Sequence, residues 1–146
     1  MNIKEIYKDL KIDEGVKYEI YKDHLGYLTF GVGHLIIDSD PEYGKPEGTP
    51  VSEERVYEAF NEDVTEAIDE CKLLYPDFHI WPEEVQQILV NIMFNMGRTR
   101  LSLFKNFKAA LEKQDWVEAA KEGRDSKWYR QVTNRAERLM TRLEMV

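Results

Sequence analysis

A single cysteine, Cys71, stands in 146 residues, which excludes an intramolecular disulfide framework and a thiolate metal cluster. Cys71 falls on an apolar helical stripe, the setting of an inert buried thiol rather than of a nucleophile. No apolar run approaches the roughly 20 residues that cross a bilayer. The N-terminal stretch MNIKEIYKDLKIDEG is charged throughout and lacks the apolar core and small-residue cleavage site of a secretory signal. Synthesis in a cytoplasm is therefore expected, with no stable membrane insertion. Positive charge is also scarce: 20 Lys and Arg against 28 Asp and Glu leave a net charge of -8. That deficit argues against a nucleic-acid partner, because phosphate affinity rests on a basic surplus. The basic residues that exist gather late in the chain. From Arg124 onward six stand against three acidic residues, a local charge of +3 that leaves -11 on the remainder. A basic segment on an acidic body calls for a local anion partner.

Several chemistries are missing too. There is no G-x-S-x-G elbow and no H-E-x-x-H pair. FGVGH offers G-x-G without the third glycine, and no P-loop lysine follows. His24, His34 and His79 are too scattered to argue a metal site. No metal and no cofactor are expected.

What remains is the pattern of an ordinary globular chain, 42% hydrophobic and 12% aromatic, of a length that suits one domain. Ile3, Ile6, Tyr7 and Leu10 recur at helical spacing, predicting a first helix that ends near Lys11 or Ile12. Between Val16 and His34 the pattern turns β-branched and aromatic, broken by Gly15, Gly26, Gly31 and Gly33, which predicts a small antiparallel sheet with tight turns. Residues 38–50 read as loop. Ser52 is a suitable N-cap, with Glu53 and Glu54 placed where the helix dipole favours negative charge. The long helix it opens carries Val56, Phe60, Val64, Ala67, Cys71 and Leu74 on one face and stops at Pro76. A further helix opens at Pro82 as its first residue and ends at Gly97. Shorter helices follow, one stopped by Gly123, and the last amphipathic run carries Ala136, Leu139, Met140 and Leu143. The fold class is α+β, a small sheet followed by a mainly helical part.

One local feature carries chemistry. Glu14 lies nine residues before Asp23, with Thr29 six residues later, all in a glycine-punctuated stretch. Two carboxylates are the minimum equipment for hydrolysing a glycosidic bond. Glu14 falls where the first helix meets the sheet, a place where burial can tune a carboxyl. Asp23 falls in a turn, where solvation keeps it ionised, and unlike environments split two carboxyls into acid and base. On spacing alone, ordinary surface charge is the readier explanation of both, in a chain that is 33% charged.

The motif IDEG-x5-YKD-x2-GY-x-T-x-G-x-GH over residues 12–34 resembles the active-site segment of phage-type lysozymes, the muramidases of T-even phages. Four further motifs follow in family order: F-N-x-D-V at Phe60, N-x-x-F-x-M-G at Asn91, W-x-E-A-A at Trp116 and S-x-W-Y-x-Q-x2-N-R-A at Ser126. The resemblance implies a lysozyme-like fold, with a sheet lobe over about 13–60 and a helical lobe made of about 1–12 and 61–146. It implies hydrolysis of the β-1,4 bond between N-acetylmuramic acid and N-acetylglucosamine in peptidoglycan, with inversion. Glu14 is then the general acid, and Asp23 and Thr29 act on the water. Leu35 and Phe94 line the saccharide cleft between the lobes, Arg135 pairs with Glu14, and His34 forms a stabilising ion pair with Asp63 that raises the histidine's pKa. The implied partner is the glycan strand, met by a monomer made in a host cytoplasm and acting on the wall after release. Phe107 and Glu122 stand where relatives carry polar cleft residues, so sugar contacts there are expected to differ. The alternatives are a lysozyme fold that only binds glycan or protein, and a transglycosylase that breaks the same bond without water.

Overall fold

Asn2 opens the first helix, α1 (Ile3–Glu14), its Oδ1 accepting the Glu5 amide at 3.1 Å. The computed structural model describes all residues from Met1 to Val146. They divide into two compact units, Asn2–Glu66 and Ala67–Val146 together with Met1, so α1 belongs with the sheet. The architecture is α+β, seven helices and one three-stranded antiparallel sheet. No helix is long and apolar enough to cross a membrane.

In the first unit α1 runs to Glu14, just past the expected end at Lys11 or Ile12, and stops at Gly15 with φ 77° and ψ 168°. That backbone region is essentially open to glycine alone. The sheet runs β1 (Lys17–Lys22), β2 (Leu28–Gly31) and β3 (His34–Leu35) in spatial order β1-β2-β3. Tyr21 pairs with Thr29, Thr29 with Leu35, and Phe30 with His34. Gly31, at φ 64°, lets the strand lie against α2 (Glu53–Leu74), where a β-carbon would stand 3.0 Å from Val56 Cγ1. The connecting loop is not free of the sheet. Ile20 N donates to Thr49 O, Gly48 N to Ile20 O and Val51 N to Tyr18 O, so the loop's end is held along the outer edge of β1. This covers an edge that would otherwise present unpaired backbone groups. Ile6, Leu10, Ile20, Phe30, Val56, Phe60 and Val64 form the core. Ser52 caps α2 as expected, its Oγ accepting the Arg55 amide at 3.1 Å. The helix has 22 residues.

The second unit is helical: α3 (Glu83–Leu101), α4 (Lys105–Glu112), α5 (Trp116–Arg124), α6 (Lys127–Gln131) and α7 (Thr133–Glu144). Pro82 is the cap before α3 rather than its first residue. Gly97, at φ 79° and ψ 165°, breaks the helical path as expected, but the chain resumes helix to Leu101. Two of the sequence motifs meet here. Asn91 Oδ1 accepts from Arg135 Nε at 2.9 Å, and Asn95 Oδ1 accepts from Trp128 Nε1 at 2.8 Å. The asparagines of α3 are thus the receptors for the last two helices. The basic C-terminal segment finds anions within this same unit. Arg124 Nε donates to Glu137 and Nη1 to Glu144, and Arg142 pairs with Glu84. Hydrogen bonds from Arg124 and Tyr129 push the Glu137 carboxyl down to about 2. Cys71 is fully buried, and burial, assisted by the Glu70 charge, pushes its thiol up to about 12. That leaves it without thiolate character at neutral pH.

Gly123 is not a helix stop. It lies inside α5, and a β-carbon there would overlap Sδ of Met140 and stand 3.3 Å from its Cγ. Met140 is fully buried on α7, so its sulfur would have to shift within the core to admit that carbon. The glycine therefore sets how closely α5 and α7 approach. Gly123→Ala is expected to lower stability by about 1–3 kcal/mol, the usual cost of overpacking, even though alanine is the better helix former by about 1 kcal/mol. Urea unfolding reads this directly, and an unchanged or raised midpoint would show that the helices do not meet at this residue.

Candidate active site

The three residues singled out for chemistry come from three successive elements of one unit. Glu14 is the last residue of α1 and is exposed. Asp23 follows β1 in the hairpin turn and is half-buried, while Thr29 is buried in the central strand. The expected contrast between a buried Glu14 and a solvated Asp23 is thus reversed. Glu14 ends a helix where the chain turns out through Gly15, and Asp23 is drawn into its own turn by the backbone.

That turn anchors one half of the Asp23 carboxylate. Oδ1 accepts the amides of Leu25 and Tyr27, both at 2.9 Å, while Asp23 N donates to Tyr27 O and Gly26 N to Asp23 O. Aspartate favours this position because its short side chain can bond the backbone two residues on. Gly26, at φ 88°, supplies the left-handed residue the turn needs. Oδ2 accepts no hydrogen bond from the protein. The carboxylate is held in a fixed orientation with one oxygen available.

Thr29 is oriented from the same turn. Its Oγ1 donates to Tyr27 O at 2.9 Å. With its proton committed, the hydroxyl oxygen can only accept, as it would from a water. Across the ladder Thr29 faces Tyr21 on one side and the half-exposed Leu35 on the other, so all three share a face of the sheet. Tyr21 was not anticipated from the motif. Its phenol is pushed above the ordinary value by burial first, then by the negative charges of Asp23 and Glu14. One side chain thus feels both carboxylates, and Lys17 Nζ lies 4.4 Å from the centre of its ring. The register that makes Tyr21 the partner of Thr29 was the available signal, since a two-residue period links strand positions across a tight turn.

The opposite face of the sheet carries the His34 cluster. His34 Nδ1 lies 2.7 Å from Asp63 Oδ2, as expected, and Nε2 lies 2.9 Å from Asp40 Oδ2, a second partner that spacing did not reveal. Burial by itself lowers the pKa of this imidazole, but the hydrogen bonds and charges of Asp63 and Asp40 outweigh it and raise the value to about 9. Arg55 extends the cluster to Asp40, Glu42 and Glu58. Its guanidinium lies 5.4 Å from the Phe30 ring centre.

In the other unit Phe94 is half-buried on α3. Arg135 is half-buried on α7, its Nη2 also reaching Asn91 O at 3.3 Å. Phe107 is buried in α4 and packs edge-on to Phe104, with ring centres 6.5 Å apart. It is a core residue there rather than a sugar contact. Glu122 lines a shallow cavity of about 220 Å³ with Asn106, Lys113 and Glu118. No group of three or more His, Cys, Asp or Glu side chains is arranged to hold a metal ion.

Residues 11–145 match the protein family described as phage lysozyme. A relative described as "Probable T4-type lysozyme 1", from Dictyostelium discoideum, is 30% identical over 154 aligned residues, spanning 92% of this chain and 91% of that protein. The pre-baseplate central spike protein Gp5 of Enterobacteria phage T4 is 30% identical over 89% of this chain and 26% of its own length. Peptidoglycan hydrolase gp36 of Pseudomonas phage phiKMV is 31% identical over 93% of this chain and 15% of its own. In these two longer proteins the similarity covers a minority of the polypeptide.

Proposed function

Because the chain belongs to the phage lysozyme family, we propose that it hydrolyses the β-1,4 bond between N-acetylmuramic acid and N-acetylglucosamine in peptidoglycan, with inversion at the anomeric carbon. It is a lysozyme, and the mechanism proposed for it runs through Glu14, Asp23 and Thr29. Glu14 protonates the departing glycosidic oxygen. A water attacks the anomeric carbon from the other face of the sugar and passes one proton to Asp23, while its remaining O–H donates a hydrogen bond to Thr29 Oγ1 and stays on the oxygen as the new anomeric hydroxyl. One bond to carbon breaks and one forms, and Asp23 leaves the cycle protonated as Glu14 leaves it ionised.

The observation that carries this reading is the Asp23 turn. Two amides fix Oδ1 and leave Oδ2 for a proton, and the same Tyr27 carbonyl commits the Thr29 proton so that its oxygen can only accept. A base and a water-holding group are therefore set by one piece of backbone, the preorganisation that general-base catalysis needs. Leu35 and Phe94 are proposed as walls for the saccharide, and Arg135 as the partner of Glu14 during the reaction. His34 and Asp63 support the sheet from its other face. The substrate is the glycan strand of the wall, reached after release and bound by a monomer.

The test is the chemistry of the product. Wall digests are expected to yield muramic acid with a free reducing end, first formed as the α-anomer. Anhydro-muramic ends would instead mean transglycosylation, and a protein that binds walls but yields no fragments would be a binding module.

A further inference from the structure

Beside α1, on a surface that none of Glu14, Asp23 and Thr29 lines, the first unit holds a cavity of about 420 Å³. Its walls are Tyr7 and Lys11 from α1, Tyr18 from β1, and Glu53, Glu54 and Tyr57 from the start of α2. Tyr7 and Tyr57 meet edge to face with ring centres 4.8 Å apart. Lys11 Nζ lies over the Tyr7 ring, 4.4 Å from its centre. Neither Glu53 nor Glu54 makes a hydrogen bond or ion pair through its side chain within the protein, and Lys11 pairs with no carboxylate. The Tyr7 phenol is raised by burial, and then by the fields of Tyr18, Glu53 and Tyr57. Tyr7 thus feels three of the other side chains that line the cavity.

These features select one kind of guest. The faces of aromatic rings carry the negative part of the ring quadrupole and attract cations, and cages of such rings recognise alkylammonium groups. Two carboxylates without partners add to that attraction. An anion would meet both, and the positive end of the α2 dipole is already offset by the same two residues. A cation already occupies the ring face, because Lys11 places its own ammonium there. We propose that this pocket is a binding site for an alkylammonium group, and that Lys11 is an internal occupant displaced when the ligand enters. The group can come from a free small cation or from an amino group carried on the wall polymer. The second source rests on the lysozyme function, whereas the site itself does not.

The test begins with choline titrated into the protein and followed by NMR, beside its neutral isostere 3,3-dimethylbutan-1-ol. Choline is expected to shift the resonances of Tyr7, Tyr18 and Tyr57 in a saturable manner at millimolar concentration, with the neutral alcohol weaker by about tenfold. Lys11→Ala is expected to tighten choline binding by about threefold, and the Glu53→Gln, Glu54→Gln double substitution to weaken it by about the same factor. The Lys11 result separates a ligand site from a surface patch, because removing an exposed lysine from a mere patch has no reason to sharpen affinity at three tyrosines. Co-sedimentation of Glu14→Gln protein with walls, native or chemically acetylated at their amines, identifies the source. Weaker binding to acetylated walls assigns the polymer amine, and equal binding assigns the free cation. No saturable shift at the tyrosines, equal affinity for the neutral alcohol, or weaker choline binding in Lys11→Ala overturns the proposal. None of these outcomes bears on whether the protein cleaves peptidoglycan.

Discussion

Glu14→Gln is expected to slow wall clearing by about 10²- to 10⁴-fold, the usual contribution of a positioned general acid. The amide has the size and hydrogen-bonding reach of the acid but no proton to give to the leaving oxygen. The folded protein should hardly notice the change. Glu14 is exposed, and it is the last residue of α1, where the negative end of the helix dipole disfavours a carboxylate. Exposed charge pairs contribute about 0–1 kcal/mol, so the loss of any such contact is comparable to the relief at the helix end. The thermal midpoint and circular dichroism of the variant should match those of the parent. A variant that clears walls at the parental rate would remove Glu14 from the mechanism. A variant that fails to fold would show that the residue is structural. The poor fit of a carboxylate to this helix end is also a reason to look for a functional cause of its presence.

Arg55→Met is expected to destabilise the first unit by about 3–5 kcal/mol, the range for breaking one side of a buried ion cluster. Arg55 donates from Nε and Nη2 to both oxygens of Glu42, at 2.9 and 3.0 Å, and from Nη2 to Asp40 at 3.2 Å. The side chains of Asp40 and Glu42 are only 7% and 9% exposed. Without the guanidinium two desolvated carboxylates face each other, and methionine can fill the volume but not the charge. Adding Glu42→Gln to the variant should recover part of the loss. An effect on urea unfolding below about 1 kcal/mol would place the cluster among the exposed pairs that contribute little.

The same cluster sets a pH dependence. The His34 pKa is raised from an ordinary 6.5 to about 9 in the folded protein. A raised histidine contributes fully below the unfolded value and loses its contribution as pH climbs through the folded one. Stability should therefore fall between about pH 6.5 and 9, at up to about 1.4 kcal/mol per pH unit. Asp40 behaves oppositely. Burial raises its pKa, but the Ile37 amide, His34 and Arg55 together lower it below the ordinary carboxylate value, so its contribution is present above that value and lost in acid. The cluster is strongest from about pH 4 to 6.5. His34→Asn should flatten the alkaline fall, and an unchanged slope would mean that another group titrates there.

How much of this was legible beforehand differs by element. The glycine-broken segment announced the sheet, and Ser52 announced the start of α2, because caps and turns depend on residues only a few positions apart. The Asp23 turn and the Thr29 strand position belong to the same category. The motif does not single out Tyr21, although the ladder register makes it the partner of Thr29. Asp40, Glu42 and Arg55 were invisible, since a loop carboxylate and a helix guanidinium 13 or 15 residues apart follow no period. Gly123 was misread for a related reason. A glycine near a predicted helix end looks like a stop, and only the approach of Met140 from another helix shows that it is a packing site.

By itself, the sequence determined the order and type of the elements and the family, and its motifs put forward Glu14, Asp23 and Thr29 as the candidates for chemistry. These depend on backbone periodicity, turn chemistry and motif order, all of which are written along the chain. Only the tertiary structure decided that Asp23 offers one oxygen while the other is tied down, that His34 has two carboxylate partners rather than one, and that Lys11 rests on an aromatic face. It likewise showed that Asn91 and Asn95 receive Arg135 and Trp128. Those facts depend on which faces meet, and contact between distant residues is a property of packing that no local pattern records.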